Sequence, residues 1–140
     1  MTDSAYLYAM KNSLARCRAE LDELSGLLAQ RSLSNLEYRA AERTLQITIE
    51  SCIGIAKHWA KALSGSSPEN AGMAFEILAQ HQQLETQSLV GWRKVIGLRN
   101  VLVHDYLNVD PDIVRSVIQG GYTRQLFEFA EQGREWLAKH

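Results

Sequence analysis

Leu7, Met10, Leu14, Cys17, Leu21, Leu24 and Leu28 recur at alternating spacings of three and four residues. Only an α-helix, with about 3.6 residues per turn, gathers that spacing into one stripe. Arg16, Arg18, Glu20, Asp22 and Glu23 fall between the apolar positions, so the pattern predicts one long amphipathic helix over about residues 3 to 29. The same spacing would suit a coiled coil, but it stops before enough heptads accumulate, and a bundle helix is the better reading. No stretch alternates apolar and polar residues as a strand would, and no internal repeat, low-complexity run or linker interrupts the chain. The expectation is therefore an all-α protein: an up-and-down bundle of four long helices with shorter helical segments. With 140 residues and 46% hydrophobic content, residues 1–140 are long enough for one domain with a real core and too short to argue for two.

Further along, Leu33-Ser34-Asn35-Leu36-Glu37-Tyr38 carries a complete helix start. Ser34 can accept from the Glu37 amide, Glu37 can reach back to the Ser34 amide, and Leu33 and Tyr38 take the positions of a hydrophobic staple. The helix that begins there runs to about Leu63, with Tyr38, Ala41, Leu45, Thr48, Cys52, Ala56, Trp59 and Leu63 on one stripe and Ile47, Ile49, Ile53 and Ile55 spread beyond it. So wide an apolar surface implies burial on more than one side, between helices or against a second subunit. Ser64-Gly65-Ser66-Ser67-Pro68 interrupts the chain, with Ser67 as N-cap and Pro68 as first helical residue of a short third helix that ends near His81. A fourth helix begins near Glu85 or Thr86 and continues toward Asn108. Asp110 then caps the next helix, Pro111 occupies its first turn, and Gly120-Gly121 breaks or kinks the last segment.

The fourth helix carries Gly97-Leu98-Arg99-Asn100-Val101-Leu102-Val103-His104-Asp105-Tyr106, where an arginine, an amide, a histidine and a tyrosine enter an otherwise apolar pattern. With Arg99 at zero on a helical wheel, Tyr106 falls at roughly −20°, Trp92 near 20°, Asn100 near 100°, His104 near 140° and Gly97 near 160°. Val95, Leu98, Val101 and Leu102, broken by Lys94, occupy the remaining arc as the core-facing stripe. Asp105 and Lys94 fall close enough together on the wheel to form a helix-end charge pair.

Arg99, four residues, His104, one residue and Tyr106 reproduce the R-x4-H-x-Y pattern of the HEPN superfamily, and the surrounding segment resembles its HepT-type toxins. The likeness extends to layout: similar length, all-helical pattern, a motif late in the fourth helix and an Asp-Pro start to the next. Leu98 departs from the aromatic found there in many relatives, which bears on packing and not on chemistry. The resemblance implies a homodimeric ribonuclease, the toxin of a type II-like toxin–antitoxin pair whose partner is a minimal nucleotidyltransferase (MNT-type) antitoxin. It further implies that the partner adds adenylyl groups to Tyr106. From the residues themselves Tyr106 equally suits stacking on a base or packing on Trp92.

What such a set could do follows from RNA chemistry. A base removes the ribose 2′-proton, an acid protonates the leaving 5′-oxygen, and a cation steadies the phosphoryl charge, with no metal required. Histidine titrates in the range that the proton transfers need, which fits His104; Arg99 offers a fixed fork of donors for phosphate oxygens. Asn100, one turn before His104, can hydrogen-bond to it or to phosphate. Arg99 and His104 lie about 140° apart around the axis and roughly 7.5 Å along it, too far to close on one phosphate. Two such helices across a two-fold axis could build a shared cleft. A competing reading is a non-catalytic nucleotide- or partner-binding module in which the cleft only holds a ligand.

A formal charge of −1 excludes a generally basic RNA-coating surface, so RNA contact must be local, with Arg93 and Lys94 the candidates beside Arg99 and His104. His58, His81, His104 and His140 are scattered without ligand spacing and no Gly-rich phosphate loop is present, so neither metal nor cofactor is expected. Cys17 and Cys52 sit in apolar stripes and read as reduced core residues. With no charged-then-apolar leader and no membrane-length apolar run, a cytoplasmic location is expected.

Overall fold

The computed structural model describes residues 2–140, with Met1 outside the described residues. Six α-helices follow one another: α1 (Ser4–Leu28), α2 (Asn35–Ser64), α3 (Ala71–Gln80), α4 (Leu89–His104), α5 (Pro111–Gln119) and α6 (Tyr122–Lys139). Four are long, α3 and α5 are short, and the described residues contain no strand, as the periodicity requires. In α1 the buried positions are Leu14, Cys17, Leu21, Leu24 and Leu28, the later members of the expected stripe.

At the start of α2 the capping box is complete. The Ser34 hydroxyl accepts from the Glu37 amide at 3.2 Å, Glu37 accepts from the Ser34 amide at 2.8 Å, and Leu33 is buried beside a partly buried Tyr38. Arg31 reinforces the end by reaching Glu37 at 2.7 Å and 2.8 Å, which holds that carboxyl down at about 2. Helix α2 is the axis of the molecule. It packs against α1, α3, α4, α5 and α6, so its wide apolar surface is consumed by the other helices of the same chain. Cys17 and Cys52 are buried free thiols, and burial pushes the Cys52 thiol up.

An aromatic cluster fastens α2, α3, α4 and α6. Phe75 stacks on Trp92 with ring centroids 4.4 Å apart, Trp92 meets Phe129 at 4.6 Å, and Trp59 sits 5.8 Å from Phe129 and 5.9 Å from Trp136. Close approach of α6 to α2 depends on Gly133, where a Cβ would collide with Ile55 and lie 3.2 Å from the Trp59 ring.

Two boundaries differ from the sequence expectation. The third helix begins at Ala71, not at Pro68, because Asn70 supplies the cap: its Oδ1 accepts from the Met73 amide at 2.8 Å. Ser67 and Pro68 remain in the connection. The fourth helix, preceded by a 3-10 turn at Thr86–Ser88, stops at His104 instead of running on toward Asn108. Asp105 leaves helical geometry at φ −139° and ψ 43°, and Tyr106–Asn108 form a separate 3-10 turn. Local competition explains the stop: Asn108 donates its side-chain amide to Asp105 Oδ1 at 2.6 Å and its backbone amide to the Asp105 carbonyl at 3.0 Å. Beyond it, Asp110 Oδ1 accepts from the Asp112 amide at 2.9 Å, Pro111 opens α5, and Gly120 with left-handed Gly121 separates α5 from α6.

Candidate functional site

Packing turns α4 away from the orientation expected from its sequence. Trp92, expected among the polar groups, is only 8% exposed and lies in the aromatic cluster. A tryptophan ring buries more apolar area than any residue of the Leu98–Val101 side, so the helix rotates until that ring is covered. Trp92 and Leu102 are its buried residues, while Val95, Ile96 and Leu98 are packed against the core and partly covered. Val90, Arg93, Lys94, Gly97, Asn100 and His104 are exposed on the outer side.

Arg99 therefore lies on the inward face, between Trp92 and Leu102 around the axis, and its side chain is only 21% exposed. Nη1 donates to Glu50 Oε1 on α2 at 2.8 Å, and Nε donates to Asn100 Oδ1 at 2.8 Å. The amide of Asn100 is thus engaged with the arginine and not with His104. His104 is the last residue of α4, exposed, and makes no side-chain hydrogen bond among the described residues. Glu50 was not among the residues singled out from the sequence, although a signal was present: it is the only charged residue between Arg43 and Lys57, in an otherwise mostly apolar stretch. What the sequence could not show is its partner, which lies 49 residues away.

Tyr106 is 67% exposed on the 3-10 turn, outside the helical register, so its expected position next to Arg99 on the wheel does not hold. Packing on Trp92 is ruled out by the burial of that ring in the cluster behind α4. The expected Asp105–Lys94 pair does not form; Asp105 is taken by Asn108, and neither Arg93 nor Lys94 enters an ion pair among the described residues. His58 lies against the Tyr6 ring at 4.3 Å, and His140 stacks on Trp136, which gives both a packing role. Among the described residues, no group of three or more His, Cys, Asp or Glu side chains is placed to hold a metal ion, and no helix is long and apolar enough to cross a membrane.

The site thus offers a half-buried guanidinium, a free imidazole at a helix end and an exposed phenol one turn further on. Leu107, 84% exposed, adds an apolar side chain to the same turn as Tyr106.

The chain is 36% identical over 75 residues to the mRNA nuclease HepT of Shewanella oneidensis, a match covering 54% of this chain and 56% of that protein. The chain thus spans just over half the length of the curated relative it matches. Solved structures align over much more. A chain of a toxin–antitoxin complex with AMP-PNP superposes with a TM-score of 0.79 at 25% identity, covering 95% of this chain and 99% of the other. The tri-AMPylated HEPN toxin of Shewanella oneidensis, in complex with an MNT antitoxin, gives a TM-score of 0.76 at 26% identity and covers 100% of both chains. The ribonuclease HepT-like family model matches residues 10–132, a span from the second turn of α1 to the middle of α6 that includes Glu50 and the whole motif, and the chain belongs to that family.

Proposed function

We propose that this chain is the toxin of a HEPN/MNT pair, an endoribonuclease whose site forms where two copies bring their α4 helices together. The observation that carries the reading is the presence, in the last turns of one helix, of a fixed cation, Arg99, and an unengaged exposed imidazole, His104. In the reaction a ribose 2′-oxygen attacks the adjacent phosphorus, the bond from phosphorus to the 5′-oxygen breaks, and a 2′,3′-cyclic phosphate remains. One imidazole takes the 2′-proton and another gives a proton to the 5′-oxygen, while Arg99 stabilises the charge on the non-bridging oxygens. Two histidines and two arginines around one phosphate require two copies of α4, since one copy points Arg99 toward α2 and His104 toward solvent. Supporting a homodimer is the outer side of α4, where Gly97 has open space around its Cα and Val90 is 56% exposed. Arg93 and Lys94, exposed on the same helix, are positioned to hold the flanking RNA phosphates.

Tyr106 is the proposed acceptor of adenylyl groups from a nucleotidyltransferase antitoxin. Its exposure and its place two residues beyond His104 support this, as does the tri-AMPylated state of the Shewanella oneidensis toxin. Each added nucleotide brings a negative charge to the place where RNA phosphate binds, so modification silences the site by repulsion and bulk.

Incubation of the purified protein with RNA and a chelator tests the activity. Cleavage by the wild-type chain is expected, with loss in both His104→Ala and Arg99→Ala at unchanged helix content. Full activity in either variant contradicts the mechanism, and binding without cleavage by wild type returns the site to a ligand-holding module. For the modification, intact-mass spectrometry after incubation with the partner and ATP should show adenylyl increments on wild type. Equal increments on Tyr106→Phe would move the acceptor elsewhere.

A further inference from the structure

We infer that Glu50 is a positioning residue of this site, holding the Arg99 guanidinium in the orientation that phosphate meets. The inference rests on the ribonuclease reading for its consequence, and on the Glu50–Arg99 geometry for its basis. Arginine is a long side chain, and left unheld its planar fork would sweep through many rotamers. Here two of its nitrogens are fixed from different sides. Nη1 is held by Glu50 from α2 at 2.8 Å and Nε by Asn100 from α4 at 2.8 Å, which sets the plane of the group. Nη2 carries no hydrogen bond among the described residues and is left for a phosphate oxygen.

Placement on α2 makes the clamp stiff. Residues 51–53 are buried on one side of Glu50 and residues 48–49 on the other, so its backbone belongs to the most rigid part of the bundle. The carboxylate side chain itself is 47% exposed and completes no core packing. Its side-chain hydrogen bond goes to Arg99. A residue in that position that served stability alone would be expected to pack or to cap, and Glu50 does neither. Its charge also offsets that of Arg99, so an empty site is not a bare cation that attracts any anion.

Glu50→Ala and Glu50→Gln separate the possibilities, since glutamine keeps an oxygen at the accepting position and loses the charge. In single-turnover cleavage, Glu50→Ala should lower the cleavage constant about ten- to a hundredfold while changing the half-saturating RNA concentration much less, and Glu50→Gln should recover most of the loss. In parallel, the Nε–H signal of Arg99 in a nitrogen–proton correlation spectrum, assigned by its disappearance in Arg99→Lys, should stand apart in wild type and Glu50→Gln and collapse toward the mobile arginines in Glu50→Ala. An Arg99 signal in Glu50→Ala identical to wild type overturns the clamp. An unchanged cleavage constant, or tighter RNA binding with faster cleavage in both variants, overturns it too, the latter by making Glu50 a competitor of phosphate. If wild type does not cut RNA, the ribonuclease reading fails, and the spectrum still decides whether Glu50 orders Arg99.

Discussion

Helices α2 and α4 pack against each other and use their residues in opposite ways. Of the 30 residues of α2, twelve are buried; of the 16 of α4, two are, Trp92 and Leu102. Helix α2 is surrounded by its own chain, and its one outward carboxylate in the central stretch is tied to Arg99. Helix α4 is anchored near its start by Trp92 and near its end by Leu102, and past Leu102 the chain is open to water, with His104 and, on the following turn, Tyr106 and Leu107 all exposed. The contrast separates two tasks along one contact: α2 holds the bundle together, and α4 is held so that its far end stays exposed, as the proposed meeting with RNA and a second copy requires.

Substitutions that break this contrast should sort by end and not by residue type. The largest effect is expected from Trp92→Ala, which removes the ring stacked on Phe75 and set against Phe129 and should cost about 3–5 kcal/mol in urea unfolding. A loss under about 1 kcal/mol would mean that α4 is held elsewhere. Next is Gly133→Ala, where the new methyl meets Ile55 and Trp59; overpacking of about 1–3 kcal/mol should outweigh the gain of up to about 1 kcal/mol in helix propensity. At Gly97 the sign reverses. Nothing lies within 4 Å of a Cβ there, so Gly97→Ala should stabilise the fold by about 0.5–1 kcal/mol. The same variant should weaken dimerisation if a second α4 approaches at that point, which sedimentation reads directly.

The smallest effect lies far from both helix faces, at the start of α2. The Glu37 carboxyl is held at about 2 by Arg31 and by the Ser34 amide, below its ordinary 4.5. Because its folded value is depressed, its contribution is present above the unfolded value and is lost as pH falls from about 4.5 to about 2. Glu37→Gln should flatten the stability profile in that window by removing the contribution above it, at neutral pH, and leave stability below about 2 nearly untouched. Both partners are open to solvent, so the change in midpoint should be slight.

Signals that act within a few residues were legible in the sequence, and those that depend on distant packing were not. The Ser34–Glu37 box, the Asp110–Pro111 start and the Gly120-Gly121 break all appear in place, since each is a local hydrogen-bonding or dihedral requirement. Where two local signals competed, the ranking failed: Asn70 won over Ser67 as a cap, and the Asp105–Asn108 turn ended α4 although the apolar pattern continued. The rotation of α4 was set by Phe75 and Phe129, and no property of α4 alone could foretell it. For the site, Arg99, Asn100, His104 and Tyr106 could be singled out because the motif is contiguous. Glu50 could not be joined to them, because an ion pair across the bundle leaves no spacing to read.

Whether Arg99 and His104 act from two copies of the chain is tested most directly by cleavage measured across a dilution series, with sedimentation reporting dimer and monomer at each concentration. The rate per chain is expected to fall with the dimer fraction and to vanish in the monomer. A mixture of Arg99→Ala and His104→Ala chains should stay far below wild type, because a mixed dimer keeps one imidazole and one guanidinium in a cleft that uses two of each. A monomer that cleaves RNA at the rate of the dimer would contradict the shared cleft.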